Sequence, residues 1–204
     1  MATIQINADI GVYMRAADPT QVHSGNGNEV HIGETATVSA VERGVIKIPF
    51  TGLPAGSTIT AATLDLYLLD TTYATSNRLA SVYRIKRAMT YDGVSWNNYD
   101  TGQAWQTPGA SGANDREASA SGTRTFNTTD TINQYYSITL TVADIQAMFD
   151  GGYTNNGFLL QMATEVDDRY TFTGHAVSNP PRLTITYTPP PSSGSSAFFM
   201  NLLS

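Results

Sequence analysis

RGVIKIPFTGLPAGSTITAATLDLYLL, Arg43 to Leu69, is the stretch whose reading decides the fold. In Gly44 to Phe50 the apolar residues Ile46, Ile48 and Phe50 alternate with Lys47, the period of a strand with one face in water. Pro49 confines that strand to an edge or an end, because proline cannot donate to a ladder. The alternation returns in Thr63 to Leu69, with Leu64, Leu66 and Leu68 on one face and Thr63, Asp65 and Tyr67 on the other. Between the two runs lies GLPAGST. There Pro54 sets φ and Gly52 and Gly56 can take positive φ, so the chain turns sharply and leaves Leu53 to pack. Two half-buried strands on a shaped connection make a hydrophobic wall.

Short β segments surround it. Thr3 to Asn7, Ile10 to Arg15 and Glu29 to Gly33 precede the wall, and Leu79 to Arg87 follows it, with Tyr83 and Ile85 on one side and Arg84 and Lys86 on the other. Gly25 and Gly27 lie in a polar loop whose spacing is not that of a phosphate cradle. Met89 to Ala120 is rich in Asn, Gly, Ser and Asp and carries both tryptophans, so it reads as a long structured excursion. Gly122 to Asn127 and Gln134 to Leu140 are further strands, the second with Tyr136, Ile138 and Leu140 inward. Thr141 reads as a helix N-cap with Asp144 in the first turn, and Val142, Ile145, Met148 and Phe149 form an apolar stripe that covers an open end of the sandwich. Gly157 to Ala163, Tyr170 to Thr173 and Arg182 to Thr188 complete the strand set.

Many short strands, turn signals between them and one helix predict an all-β, antiparallel sandwich. The 204 residues fit one domain, taken as residues 1–188, followed by a Pro/Ser/Gly linker at 189–196 and an apolar peptide at 197–204. The core is expected to hold Ile46, Ile48, Phe50, Leu64, Leu66, Leu68, Ile138, Leu140, Leu183 and Ile185.

Eleven Lys+Arg against 17 Asp+Glu give a net charge of -6, which argues against nucleic acid or an anionic membrane as a partner. The absence of cysteine removes disulfides, thiolate nucleophiles and Cys-based metal sites. MATIQINADIGVYM has no basic region and no apolar core of signal-peptide length, and no stretch approaches a membrane span. With Met1 as a native start, the chain is expected to leave the cytoplasm without a classical signal.

Four ordered blocks resemble the DNRLRE family, which is grouped with alginate-associated carbohydrate-binding modules and disaggregatase-related domains. They are the Arg43–Leu69 stretch with its LPAGSTI core; Val82 to Gly109, with VSWNN and GQAWQTPG; YSITLTVADIQAMFDGGYTNNGFLLQM; and SNPPRLTITY, Ser178 to Tyr187. The resemblance spans roughly residues 9 to 187 and implies a jelly-roll sandwich with a non-catalytic role. Before the last block the chain departs from the family pattern, with Gly174 and His175 where a serine and a glutamate are usual.

No catalytic constellation stands out. His23, His31 and His175 are not at metal-ligand spacing, and no Gly-x-Ser-x-Gly turn exposes a nucleophile. Glu165, Asp167 and Asp168 form the densest acidic cluster and would supply oxygens for Ca²⁺, although a solvated turn is the plainer reading. Trp105, in a Gly-flanked loop, is the better candidate for a sugar platform, with Tyr91, Asn97, Asn98 and Arg87 near it in sequence, while Trp96 on VSWNN reads as core. Packing is nevertheless the favoured reading for Trp105.

Phe198, Phe199, Met200, Leu202 and Leu203 crowd the last residues, an apolar patch that a soluble monomer would avoid exposing. They read as an anchor into a partner protein or a neighbouring copy. The expected function is therefore a non-catalytic structural or adhesion protein, most concretely a bacteriophage decoration or fibre protein at the virion surface, within an oligomer or larger assembly, with polysaccharide as a further ligand. The alternative is an extracellular carbohydrate-binding module of a secreted polysaccharide-degrading enzyme. A stand-alone lyase or hydrolase is disfavoured.

Overall fold

The computed structural model describes residues 1–23, 27–35 and 40–191. Its elements, in order, are β1 (Ala2–Asn7), β2 (Ile10–Arg15), β3 (Glu29–Thr35), β4 (Ala40–Lys47), β5 (Thr58–Asp70), β6 (Arg78–Arg84), β7 (Asn98–Asp100), β8 (Gln103–Ala104), β9 (Gly122–Phe126), β10 (Gln134–Thr139), α1 (Val142–Phe149), β11 (Phe158–Met162), β12 (Arg169–Thr173) and β13 (Arg182–Thr188). Eleven strands form one antiparallel sheet in the order β1-β13-β5-β12-β3-β4-β11-β6-β9, with β10 on β5 and β2 on β4, while β7 and β8 pair separately. The sheet curls on itself, so the protein is an all-β antiparallel sandwich with one short helix, as the sequence predicts.

The wall is its spine. β5 takes β13 along Thr58 to Asp65, β10 along Thr63 to Leu68, and β12 at Leu68 and Asp70. Leu64, Leu66 and Leu68 are fully buried and meet Ile138, Leu183 and Ile185 on one side and Val30, Ile32, Ile46, Phe158 and Leu160 on the other. Burying each such side chain contributes roughly 1.5–3 kcal/mol. The connection behaves as read: Gly52 and Gly56 have φ of 83° and 78°, and Leu53 is buried.

Two expectations need correction. Phe50 lies beyond the end of β4 and is only partly buried, its ring edge on Phe149 with centroids 5.8 Å apart. The second face of the Gly44–Phe50 strand is not wet, because Val45 is fully buried in a second cluster with Ile10, Val12, Met14, Ile85, Met89, Trp105 and Leu159. The excursion after β6 roofs the outside of β2, β4 and β11. Arg84, on the side of β6 opposite Tyr83, is buried and paired with Glu117, its guanidinium 3.7 Å from the Tyr153 ring centroid.

Thr141 is the N-cap of α1, but its hydroxyl donates to Ser121 O at 3.0 Å and makes no cap bond. Ile145 and Met148 face the core, and Gln146 ties the helix to the start of β5 by accepting from Ile59 N at 2.7 Å and donating to Ser57 O at 3.2 Å. Among the described residues no helix is long and apolar enough to cross a membrane.

Candidate functional site

The residues singled out around Trp105 do come together, as a frame rather than a binding surface. Trp105 is 4% exposed, its indole Nε1 donates to Ser95 O at 3.0 Å, and its backbone N donates to Asn97 O at 3.0 Å. A ring so enclosed has no face for a sugar, which corrects its role as the platform. Asn97 donates from its backbone to Pro19 O at 2.9 Å, and Asn98 N to Ser95 Oγ at 3.2 Å. Arg87 lies over Tyr99, with Nε 3.6 Å from the buried Asp115 carboxylate, and Tyr91 meets the edge of His175. Trp96 is the more exposed indole, held under the Arg43 guanidinium at 5.1 Å. The physical reason is the direction of packing, since the second cluster draws Trp105 inward and leaves Trp96 at its margin.

The acidic cluster is neutralised by arginines. Glu165 accepts two bonds from Arg43, at 2.8 and 2.7 Å, and the same guanidinium donates to Gly109 O at 2.6 Å. Asp168 has 0% exposure and accepts from Thr75 N, from Ser76 N at 2.7 Å, from Thr75 Oγ1 at 3.0 Å and from Arg78 Nε at 2.6 Å. Burial pushes its carboxyl up, but these bonds outweigh it and hold the group below its ordinary 3.8. Asp167 is exposed. Among the described residues no group of three or more His, Cys, Asp or Glu side chains could hold a metal ion, and with Glu165 and Asp168 each paired to an arginine the cluster does not form the expected Ca²⁺ set. Phe198, Phe199, Met200, Leu202 and Leu203 lie outside the described residues.

The two outer faces of the sandwich differ. One is roofed by the excursion; the other, made by β1, β13, β5 and β10, is open and polar. Cross-strand register aligns Asn7, Arg182, Asp65 and Ser137 in one row and Gln5, Thr184, Thr63 and Thr139 in the next. Asp65 is their hub. Its carboxylate accepts from Ser137 Oγ at 2.6 Å, Thr184 Oγ1 at 2.6 Å, Thr63 Oγ1 at 3.0 Å and Arg182 Nε at 3.3 Å. A buried carboxylate so satisfied fixes four polar side chains from three strands.

Two tyrosines continue the row. Tyr67 and Tyr135 are directly opposed in the ladder, half-buried, with ring centroids 5.1 Å apart in an edge contact. Tyr135 is immobilised, its hydroxyl donating to Pro180 O at 3.1 Å and the Arg182 guanidinium 3.8 Å from its ring centroid. Burial, helped by Asp65, pushes its phenol above the ordinary 10.0, against the pull of Arg182.

Beyond Tyr67 the face drops into a cleft of about 470 Å³, within the usual range of ligand pockets, roughly 300–1,000 Å³. Tyr67, Leu69 and Val177 give it an apolar side, and Asn28, Asn133 and Asn179 give it amides. Thr173, Ser178 and Glu29 complete it. Asn133 and Asn179 have φ of 64° and 59°, a left-handed conformation that asparagine tolerates better than most residues. Gly174 is required nearby, since a Cβ there would stand 2.1 Å from Gly27 O, and Gly174 N donates to Asn28 O at 2.6 Å. His175, at the second departure from the family pattern, instead accepts from Gly11 N at 3.1 Å.

Glu29 connects the cleft to an internal ionic cluster. Its Oε2 lies 2.7 Å from His31 Nε2, and His31 Nδ1 lies 3.2 Å from Glu42 Oε2, with Arg15 and Arg169 beside the same carboxylate. Tyr13 is stacked between His23 and His31, at 4.4 and 4.0 Å. Glu42 is 2% exposed, and although burial raises its pKa, His31, Arg169 and Arg15 bring it below the ordinary 4.5. This cluster joins β2, β3, β4 and β12 inside the protein.

The sequence reading placed Asp65 and Tyr67 on the polar side of their strand but assigned neither a role. A tyrosine beside an acid on the wet face of the central strand was the available signal. The pairing with Tyr135 was not.

The family model of the disaggregatase related repeat domain matches residues 12–185. No curated protein matches the chain.

Proposed function

The chain belongs to the disaggregatase-related repeat family, and from this and the geometry we propose that it is a non-catalytic binding module that holds a polysaccharide on the open face of β1, β13, β5 and β10. The observation that carries this reading is the asymmetry of the two outer faces. A sheet whose back is left uncovered normally presents scattered charged residues. This one presents ordered hydroxyls and amides around Asp65 and a pair of tyrosines leading into a cleft. Such a surface suits a sugar chain, whose hydroxyls match the polar rows and whose C–H faces match an aromatic ring.

The test is binding of soluble polysaccharides by affinity electrophoresis and calorimetry, comparing the native chain with Tyr67→Ala. Loss of the ring is expected to weaken binding by about tenfold or more, equivalent to ~1.4 kcal/mol. Trp105→Phe, which changes the roofed side, should leave affinity unaltered. No bound polymer, or affinity indifferent to Tyr67→Ala, removes the reading, and release of new sugar ends from the polymer removes its non-catalytic part.

A virion decoration or fibre role is the finer proposal, and it rests on the apolar sequence at 197–204. Deletion of those residues is the test: the sandwich stays folded and association with the particle is lost. The module of a secreted polysaccharide-degrading enzyme is the other setting. Both use the same face.

A further inference from the structure

We infer that the polysaccharide taken by this face is neutral, and that Glu29 is the residue that reads its hydroxyls; the inference rests on the binding-module reading above. Among the described residues Glu29 is the only charged side chain lining the cleft, and that side chain is 48% exposed. No described lysine or arginine lines it. Arg182, the cation next along the face, is already paired with Asp65 and seated on Tyr135.

A polyuronate or sulfated chain carries a negative charge on every residue or two. Its recognition is favoured by exposed cationic groups, arginine above all, because a guanidinium matches a carboxylate or sulfate with two charged donors. Here an incoming anion meets a like charge, in a chain of net charge -6. A neutral sugar meets the opposite situation. Its hydroxyls donate to the Glu29 carboxylate in charge-assisted bonds, while the amides of Asn28, Asn133 and Asn179 both donate and accept. The ring's apolar face has Tyr67, with Leu69 and Val177 beside it.

His31 gives Glu29 its orientation. The 2.7 Å contact with His31 Nε2 occupies one carboxylate oxygen, Oε2, and leaves Oε1 for a ligand. A second-row partner that fixes one oxygen and frees the other is how a carboxylate is kept in place for a hydroxyl.

The experiment measures calorimetric binding of the full chain to mannan, xylan, laminarin and galactan as neutral polymers and to alginate and polygalacturonate as anionic ones, at about 0.15 M salt. At least one neutral polymer is expected to bind, with affinity that does not change with salt, and neither polyuronate is. Glu29→Gln is expected to weaken the neutral ligand by about tenfold with an unaltered melting temperature, and Glu29→Lys to gain binding to the polyuronates. Polyuronate binding by the native chain that Tyr67→Ala abolishes overturns the neutral class and leaves the face intact. Neutral binding that is indifferent to Glu29→Gln overturns the role of Glu29. Binding of none of the six, or binding indifferent to Tyr67→Ala, overturns the module reading itself.

Discussion

Replacing Asp168 with alanine removes a carboxylate that joins two separate connections. It accepts from the backbone of Thr75 and Ser76 in the loop after β5 and from Arg78 at the start of β6, while it sits immediately before β12. Its own carbonyl accepts from Glu34 N at 2.8 Å, against Gly33, where a Cβ would stand 1.9 Å away. Breaking a buried ion pair from one side costs about 3–5 kcal/mol, because the remaining donors lose their acceptor. Arg78 is 22% exposed and regains some water, so the lower end applies, about 3 kcal/mol. That is a large share of a typical domain stability of roughly 5–15 kcal/mol. Urea unfolding followed by tryptophan fluorescence at neutral pH should show a midpoint lower by about 1–2 M with an unchanged slope. The pH dependence has a definite sign. The folded-state pKa lies below the ordinary 3.8, so the stabilisation is complete above that value and is lost as pH falls through the folded-state value. Asp168→Asn should flatten this acid limb. A loss under about 1 kcal/mol for the alanine variant would refute the carboxylate as a structural lock, and so would a Ca²⁺-dependent rise in the midpoint of the native chain that the variant lacks.

Tyr170 is fully buried and its hydroxyl reaches Ser76 O at 3.0 Å and Phe126 O at 3.2 Å; burial first, then Asp168 and Asp130, push its phenol up to about 12. Its contribution is therefore intact below pH 10, the ordinary value, and lost as pH rises toward 12, and Tyr170→Phe should remove that alkaline limb in equilibrium unfolding at a cost of about 1–2 kcal/mol at neutral pH. Trp105→Ala should cost about 3–5 kcal/mol in urea unfolding, since it empties the second cluster; a cost near zero would mean the excursion does not pack on β2, β4 and β11. Deleting residues 197–204 should leave the thermal midpoint within about 1 °C, because β13 ends at Thr188 and a change of that size is only a few tenths of a kcal/mol. A drop of several degrees would show that the tail supports the sandwich.

Local chemistry was sufficient for much of the architecture. Ile10–Arg15 and Arg182–Thr188, read as short β segments, have the bounds that β2 and β13 occupy, and period-2 alternation identified Leu64, Leu66 and Leu68 as one buried row. Glycine and proline chemistry located the turn at Gly52 to Gly56, and the apolar stripe from Val142 to Phe149 located the helix. These features depend on neighbours within a few residues, and the order of side chains along the chain encodes them directly. What the sequence left undetermined is what covers each face. Val45 and Lys47 share a face by periodicity, yet Val45 is fully buried, because an excursion some forty residues further on folds back over it. The same fold decides which tryptophan is inside, since Trp105 and Trp96 are chemically equivalent until the roof gives one of them a cavity to fill. Asp65 and Tyr67 were legible as polar-face residues of one strand. Only register between distant strands brings Ser137, Thr184 and Arg182 onto that carboxylate and Tyr135 against that ring, and only the loops before β3, β10 and β13 close the cleft beyond them. Alternation specifies two faces per strand, whereas the partner of each face is chosen by long-range packing, so a site assembled from separate strands exists only once the sheet has curled.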